Sequence, residues 1–320
     1  MDPIGGAHIF IANPAVNGSN ITVITLLADS NGLRHLGLKA YLATSCDHAI
    51  ALSDLTLIEM RKSNALSTSR NSLRITAQFT QQTYVLRRTD EILAENIASA
   101  SQIPSLFDYE ETSQLAGLSR QLQAIPEPPG LRAHMAELEA NAQTVMSRLT
   151  EEVAPLEAGL VDAATDFSQA ELTQIRTTAG ITDSTRSKLL GLLKETTGSF
   201  ILANQEPGRR EPMLLRDAMG LFAFRYSLCM LLYYMEWVRV GRTTGKALPR
   251  RVNDVVDMQI AAMGTFFNGV LSADTALQVI SKTARGVLRG FGAYVGDDWR
   301  VPVPDGEADQ SREDHPGESG

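Results

Sequence analysis

The stretch Ala49-Ile50-Ala51-Leu52-Ser53-Asp54-Leu55-Thr56-Leu57-Ile58-Glu59-Met60 decides the fold. Its first four residues form an unbroken apolar run that stops at Ser53, whose hydroxyl can accept from the backbone N–H groups opening a helix. Leu55, Leu57, Ile58 and Met60 then give a short amphipathic helix that ends near Ser63 and Asn64. Strand, cap and helix in that order are the repeating unit of a parallel sheet.

Upstream, His8 to Ile11 is a second short apolar run, punctuated by Pro14 and by Asn17-Gly18, and it predicts the first strand. Ser19 can cap a helix over Ile21 to Ala28, and another helix is predicted from Leu33 to Leu42. Downstream, strand signals vanish between Asn64 and about Gly241. Segments Glu91 to Ala100, His134 to Arg148 and Ser184 to Lys194 carry helical apolar spacing, with breaks at Ile103-Pro104, Pro126 to Gly130, Gly180 and Pro207-Gly208. Leu221 to Val238 is the most apolar run, but Arg225 and Glu236 within it favour a buried core helix over a membrane span.

Past Pro249 the alternation returns. Asn253 or Asp254 caps a predicted helix through Met263, Gly269 to Leu271 is a short strand, and Ala276 to Leu288 is helical. The predicted organisation is an α/β core in two parts, residues 1–63 and 241–302, with a short parallel sheet. An all-helical insertion over 64–240 interrupts it, and an acidic tail over 303–320 follows.

The 320 residues are 43% hydrophobic and 21% charged, which fits a folded, soluble chain and excludes collagen, coiled coil and wholesale disorder. The net charge of −8 argues against coating nucleic acid by bulk charge. That charge is uneven: after Val303 six acids stand against Arg312 alone, leaving the folded body closer to neutral. Two cysteines far apart, Cys46 and Cys229, suggest neither a disulfide scaffold nor a zinc site, and with no signal peptide legible a cytoplasmic location and no membrane association are expected. The five histidines show no paired spacing, and no GxxxxGK phosphate loop occurs.

The acids that matter are those an α/β sheet places beyond the carboxyl ends of its strands. Asp274 follows the strand at Gly269 to Leu271, Asp254 and Asp257 lie three apart at the start of a helix, and Glu59 rides on the helix after Ala49 to Leu52. Carboxylates gathered at one edge repel one another, and a hard cation such as Mg²⁺ or Mn²⁺ relieves the repulsion. Each acid also has an ordinary role: Asp254 as a helix cap, Glu59 as a solvated side chain, Asp274 as a turn residue. Close by, Arg239, Arg242, Lys246, Arg250 and Arg251 come without an intervening acid, and Gly241, Thr243, Thr244 and Gly245 make that segment a flexible loop, so it can meet a phosphodiester or serve as a solvated linker.

Three segments resemble the motifs of the PIN-domain nucleases. Ser53, Thr56 and Glu59 are similar to the second motif; Asp257-Met258-Gln259-Ile260-Ala261-Ala262-Met263-Gly264 resembles the third, an Asp on a helix whose small residues lie close to the sheet. Val270-Leu271-Ser272-Ala273-Asp274 resembles the fourth. The resemblance implies a three-layer PIN-like core and a metal-dependent endoribonuclease in which metal-activated water hydrolyses a phosphodiester. Glu59, Asp257 and Asp274, with Asp254 as an auxiliary, would hold Mg²⁺ or Mn²⁺. Asn13, Ser53, Thr56, Ser272, Arg242, Lys246, Arg250 and Arg251 would meet the substrate, RNA before DNA. Family habit adds a toxin or defence role.

The family's first strand ends in an Asp, followed two positions later by Asn. With His8 to Ile11 as that strand, the Asp position falls on Ala12, or on Asn13 if the register slips by one, and the chain is expected to be inactive, through natural degeneracy or a deliberate substitution. The alternative is a degenerate PIN-like interaction protein whose helical region binds a partner protein or a second copy. The resemblance covers residues 7–63 and 245–292 only.

Overall fold

A computed structural model describes residues 23–35, 37–93, 95–178, 180–203 and 215–299. The predicted strand at His8 to Ile11, Ala12, Asn13, the cap at Ser19, the break at Pro207-Gly208 and the acidic tail lie outside the described residues.

The architecture is α/β. Five strands, β1 (Ile24–Ala28), β2 (His48–Leu52), β3 (Thr83–Leu86), β4 (Phe107–Asp108) and β5 (Val270–Leu271), form one sheet in the order β4-β3-β2-β1-β5. All neighbours are parallel except β3 and β4, and β1 lies between β2 and β5, with Leu27 beside Ala51 and Val270. Alternate residues bury on opposite faces, as strand geometry requires. Leu26, Ala28, Ile50 and Leu52 pack against α1 (Leu38–Thr44), α2 (Asp54–Arg61), α3 (Ala65–Ser72) and, after the short α4 (Thr89–Ile92), against α5 (Tyr109–Gln123) and the start of α6 (Leu131–Val153). Leu27, Ala51 and Leu86 face the other way, into the core shared by α7 (Leu156–Thr165), α8 (Gln169–Thr177), α9 (Asp183–Ala203), α10 (Leu215–Ala218), α11 (Phe222–Arg239), α12 (Leu248–Gly264) and α13 (Thr275–Gly290).

Six expectations are corrected. The segment ending at Ala28 is strand β1, not helix: a five-residue apolar run carries no decisive period, and pairing on both edges supplies its hydrogen bonds. The helix expected from Leu33 to Leu42 is a 3₁₀ turn at Gly32–Arg34 followed by α1. The stretch 64–240 is not all helical, because β3 and β4 belong to the sheet; Thr83-Tyr84-Val85-Leu86 is rich in strand formers but only four residues long. Within it, Glu91 to Ala100 holds only the end of α4, and Pro104 sits inside a 3₁₀ helix, Ala100–Leu106, rather than at a break. Finally, α12 opens at Leu248 with Pro249 in its first turn, so Asp254 is a mid-helix residue and not its cap.

Other expectations stand. His134 to Arg148 lies in α6, Ser184 to Lys194 in α9, and the apolar run ending at Val238 is the buried helix α11. No helix among the described residues is long and apolar enough to cross a membrane. Arg225, fully buried in α11, donates to the carbonyls of Met219 and Tyr294 and to Thr265 Oγ1, and lies 3.8 Å over the Phe266 ring. It pins the chain after α13 to the end of α12. The small residues of α12 do bring it against the sheet: a Cβ on Gly264 would stand 2.3 Å from Val270 Cγ2.

Candidate functional site

The carboxyl edge of the sheet brings together acids from four elements. Asp29, immediately after β1, is 4% exposed. Its N–H donates to Leu271 O at 3.1 Å, extending the β1–β5 pairing, while Oδ2 accepts from Ser272 Oγ at 2.5 Å and Oδ1 from the N–H of Gly32. Gly32 has to be glycine, since a Cβ there would stand 2.0 Å from Leu271 O. Burial raises the Asp29 pKa and the Glu59 charge adds to the rise, while the donors Ser272 and Gly32 oppose it.

Glu59 is brought to the same edge by α2. Ser53 caps that helix by accepting from Thr56 N–H (3.2 Å), and Thr56 Oγ1 donates to Ala28 O (2.9 Å), the carbonyl preceding Asp29. Ser30 Oγ donates to Glu59 Oε2 at 3.1 Å, and Lys62 stands 3.7 Å from Oε1. Asp274 caps α13 by accepting from Leu277 N–H (3.0 Å), and its own N–H donates to Ser272 Oγ (2.9 Å). Asp257 reaches the edge from α12. It is half-buried, and its carboxylate has no hydrogen bond or ion pair among the described residues. Burial first, then the charges of Asp274, Glu59, Asp29 and Asp254, push its pKa up to about 7.

Sequence reasoning missed Asp29. The signal was present: Asp29 ends an apolar run and Asn31 follows two residues on, the pattern sought at Ala12 and Asn13. Reading Ile21 to Ala28 as helix hid it. With β1 between β2 and β5, Asp29 stands at the end of a central strand, while Ala12 and Asn13 lie outside the described residues.

The remaining expected site residues divide. Ser53, Thr56 and Ser272 are buried, at 2%, 0% and 3% exposure, so none presents its hydroxyl to a substrate. They position backbone and carboxylates instead. Asp254 is committed elsewhere, pairing with Lys246 Nζ and accepting from Tyr233 OH at 2.7 Å. Of the basic residues, Arg251 Nη1 donates to Ala154 O at the end of α6, and Arg239 pairs with Glu236. Arg242 is half-buried with a left-handed backbone (φ 59°), while Arg250 is exposed with no acid paired to it among the described residues.

The donor set suits a hard divalent cation: all carboxylate oxygens, mutually repelling, with Asp257 unpartnered. As the side chains stand, no three His, Cys, Asp or Glu residues among those described already form a ligand cluster. Asp29 and Asp274 spend oxygens on Ser272, Gly32 and Leu277. Comparison with protein-family models, curated proteins and solved structures finds no match to this chain.

Proposed function

We propose that this chain is a metal-dependent phosphodiesterase of PIN-like type, with RNA as its substrate. The observation that carries the reading is the convergence of Asp29, Glu59, Asp257 and Asp274 at the carboxyl edge of a parallel sheet, close enough that the Glu59 charge raises the Asp29 pKa and the other three raise that of Asp257. RNA in preference to DNA rests on the resemblance of the motifs around Ser53, Asp257 and Asp274 to those of PIN-domain nucleases.

Asp29, Glu59, Asp257 and Asp274 would hold Mg²⁺ or Mn²⁺. Such a cation lowers the pKa of bound water and offsets charge developing on the phosphoryl oxygens. The chain's own residues prepare the edge. Ser272 and the Gly32 N–H oppose the rise that burial gives the Asp29 pKa, and Thr56 ties α2, and with it Glu59, to the end of β1. Asp257 holds a proton below about pH 7, so proton and cation compete for the same carboxylate and cation affinity rises through neutrality. Arg250, exposed in the first turn of α12 and with no acid paired to it among the described residues, would offer positive charge to a phosphodiester backbone, whereas Lys246 is already paired with Asp254.

The test is cleavage of single-stranded RNA and DNA by the purified chain with Mn²⁺ or Mg²⁺. RNA cleavage is expected, falling at least about a hundredfold in Asp29→Asn and in Asp257→Asn. No cleavage, or cleavage undiminished in both variants, overturns the proposal. The reading as a degenerate interaction protein rests on a missing first acid and the predominance of helix; in the present proposal Asp29 supplies that acid. A toxin role predicts that expressing the chain arrests growth and that the Asp29→Asn form does not.

A further inference from the structure

Of the four acids at the sheet edge, Glu59 alone has an ion pair among the described residues. Lys62 Nζ stands 3.7 Å from its Oε1, and Ser30 Oγ donates to its Oε2 at 3.1 Å. Both oxygens are therefore engaged, one by a hydroxyl and one by an ammonium. The ammonium lies past hydrogen-bond length, and the pair is open to solvent, with Lys62 37% and Glu59 18% exposed. Exposed pairs of this kind contribute little to stability, so the contact yields to a stronger partner of the carboxylate.

The backbone beneath the pair is held in place. Thr56 Oγ1 fastens α2 to the carbonyl of Ala28, and Gln143 Nε2 of α6 donates to Lys62 O at 3.4 Å. Lys62 thus carries its charge on a flexible four-carbon stem rooted in a fixed helix end. Neighbouring cations are committed elsewhere. Arg61 has a buried Nε and lies under the influence of Glu111 in α5. Lys246 pairs with Asp254, which also accepts from Tyr233 OH and is not one of the four edge acids.

We infer that Lys62 is a shared cation of this site: it balances Glu59 while that carboxylate is free, and moves onto a phosphate of the RNA strand once Glu59 takes up a divalent cation. The inference rests on the cation-site reading above and adds a coupling to it. Because the ammonium starts within ion-pair distance of Glu59, a strand phosphate held beside that carboxylate lies within reach of its stem. Lys62 opposes the cation when alone and grips the strand when the cation is bound, so each ligand strengthens the other.

The test reads binding and not cleavage. Mn²⁺ is titrated by calorimetry, and a labelled 2′-O-methyl oligouridine by fluorescence anisotropy over a range of KCl, with and without Mn²⁺. The proteins are the parent, Lys62→Met, Lys62→Arg and, as a control, Lys194→Met at an exposed position of α9. Lys62→Met loses a competitor of the cation and should bind Mn²⁺ about two- to fivefold more tightly. With Mn²⁺ present, its slope of log K against log [KCl] should be shallower than the parent's by about 0.7, the value of one phosphate contact on a single strand. At about 0.1 M salt that is roughly a fivefold loss of strand affinity. Without Mn²⁺ the two slopes should coincide. Lys62→Arg should keep the parent's slope, and Lys194→Met should match the parent throughout. Mn²⁺ uptake by the parent with no strand binding, or with equal slopes in parent and Lys62→Met, overturns the role of Lys62 and leaves the cation site standing. An equal slope difference with and without Mn²⁺ means a permanent phosphate contact and overturns the exchange. Failure of the parent to bind Mn²⁺ overturns both readings.

Discussion

Replacing Asp257 by Asn should stabilise the protein at high pH and do so much less at low pH. Burial and the surrounding carboxylates raise the Asp257 pKa from the ordinary 3.8 to about 7. Between those values the folded chain holds a proton that the unfolded chain has lost, so stability falls as pH rises through the window and levels off above it. At about 1.36 kcal/mol per pH unit the full shift sets a ceiling of roughly 4 kcal/mol. Asp257 is only half-buried, and solvent screening brings the realistic figure to about 1–2 kcal/mol. Asn keeps the shape and removes the charge. In metal-free buffer, differential scanning fluorimetry should show Asp257→Asn melting roughly 2–4 °C above the parent at pH 8, with most of that gain gone at pH 4.5. A gain of equal size at both pH values, or none at pH 8, would refute the electrostatic origin of the shift.

Other substitutions probe the support around the acids. Gly32→Ala puts a methyl against Leu271 O and should cost about 1–3 kcal/mol in urea denaturation. Ser272→Ala removes the donor that opposes the raised Asp29 pKa, so cation binding, followed by calorimetry as the pH is lowered, should be lost at a higher pH than in the parent. Arg225→Met strands the carbonyls of Met219 and Tyr294 and the Thr265 hydroxyl, and should lower stability by roughly 3 kcal/mol or more in urea titration.

Much of the sheet edge was legible in the sequence because its signals are local. Ser53 caps α2 as its position after an apolar run demands, Asp274 follows a strand, and the small residues of α12 announce close packing on the sheet. What failed was non-local. Ile24 to Ala28 becomes a strand through partners 24 and 243 positions away, Ile24 with His48 and Leu27 with Val270, and no short window reports such pairing. Thr83 to Leu86 is a strand for the same reason. Reading Ile21 to Ala28 as helix hid the strand end at Asp29, while Ala12 lies outside the described residues. Likewise Asp254 and Asp257 share one helix, and only the fold separates them: Tyr233 and Lys246 engage the first, while the second is left facing Asp29, Glu59 and Asp274.

The central claim is that Asp29, Glu59, Asp257 and Asp274 make one divalent-cation site. It is tested most directly by titrating Mn²⁺ into the metal-free protein at pH 8 by isothermal calorimetry, beside Asp29→Asn and Asp257→Asn. The predicted result is saturable binding, with about 2.7 kcal/mol of stabilisation at a hundredfold excess over Kd, lost or weakened at least tenfold in both variants. Absence of Mn²⁺ and Mg²⁺ binding by the unsubstituted chain, or binding equally strong in both variants, would contradict it.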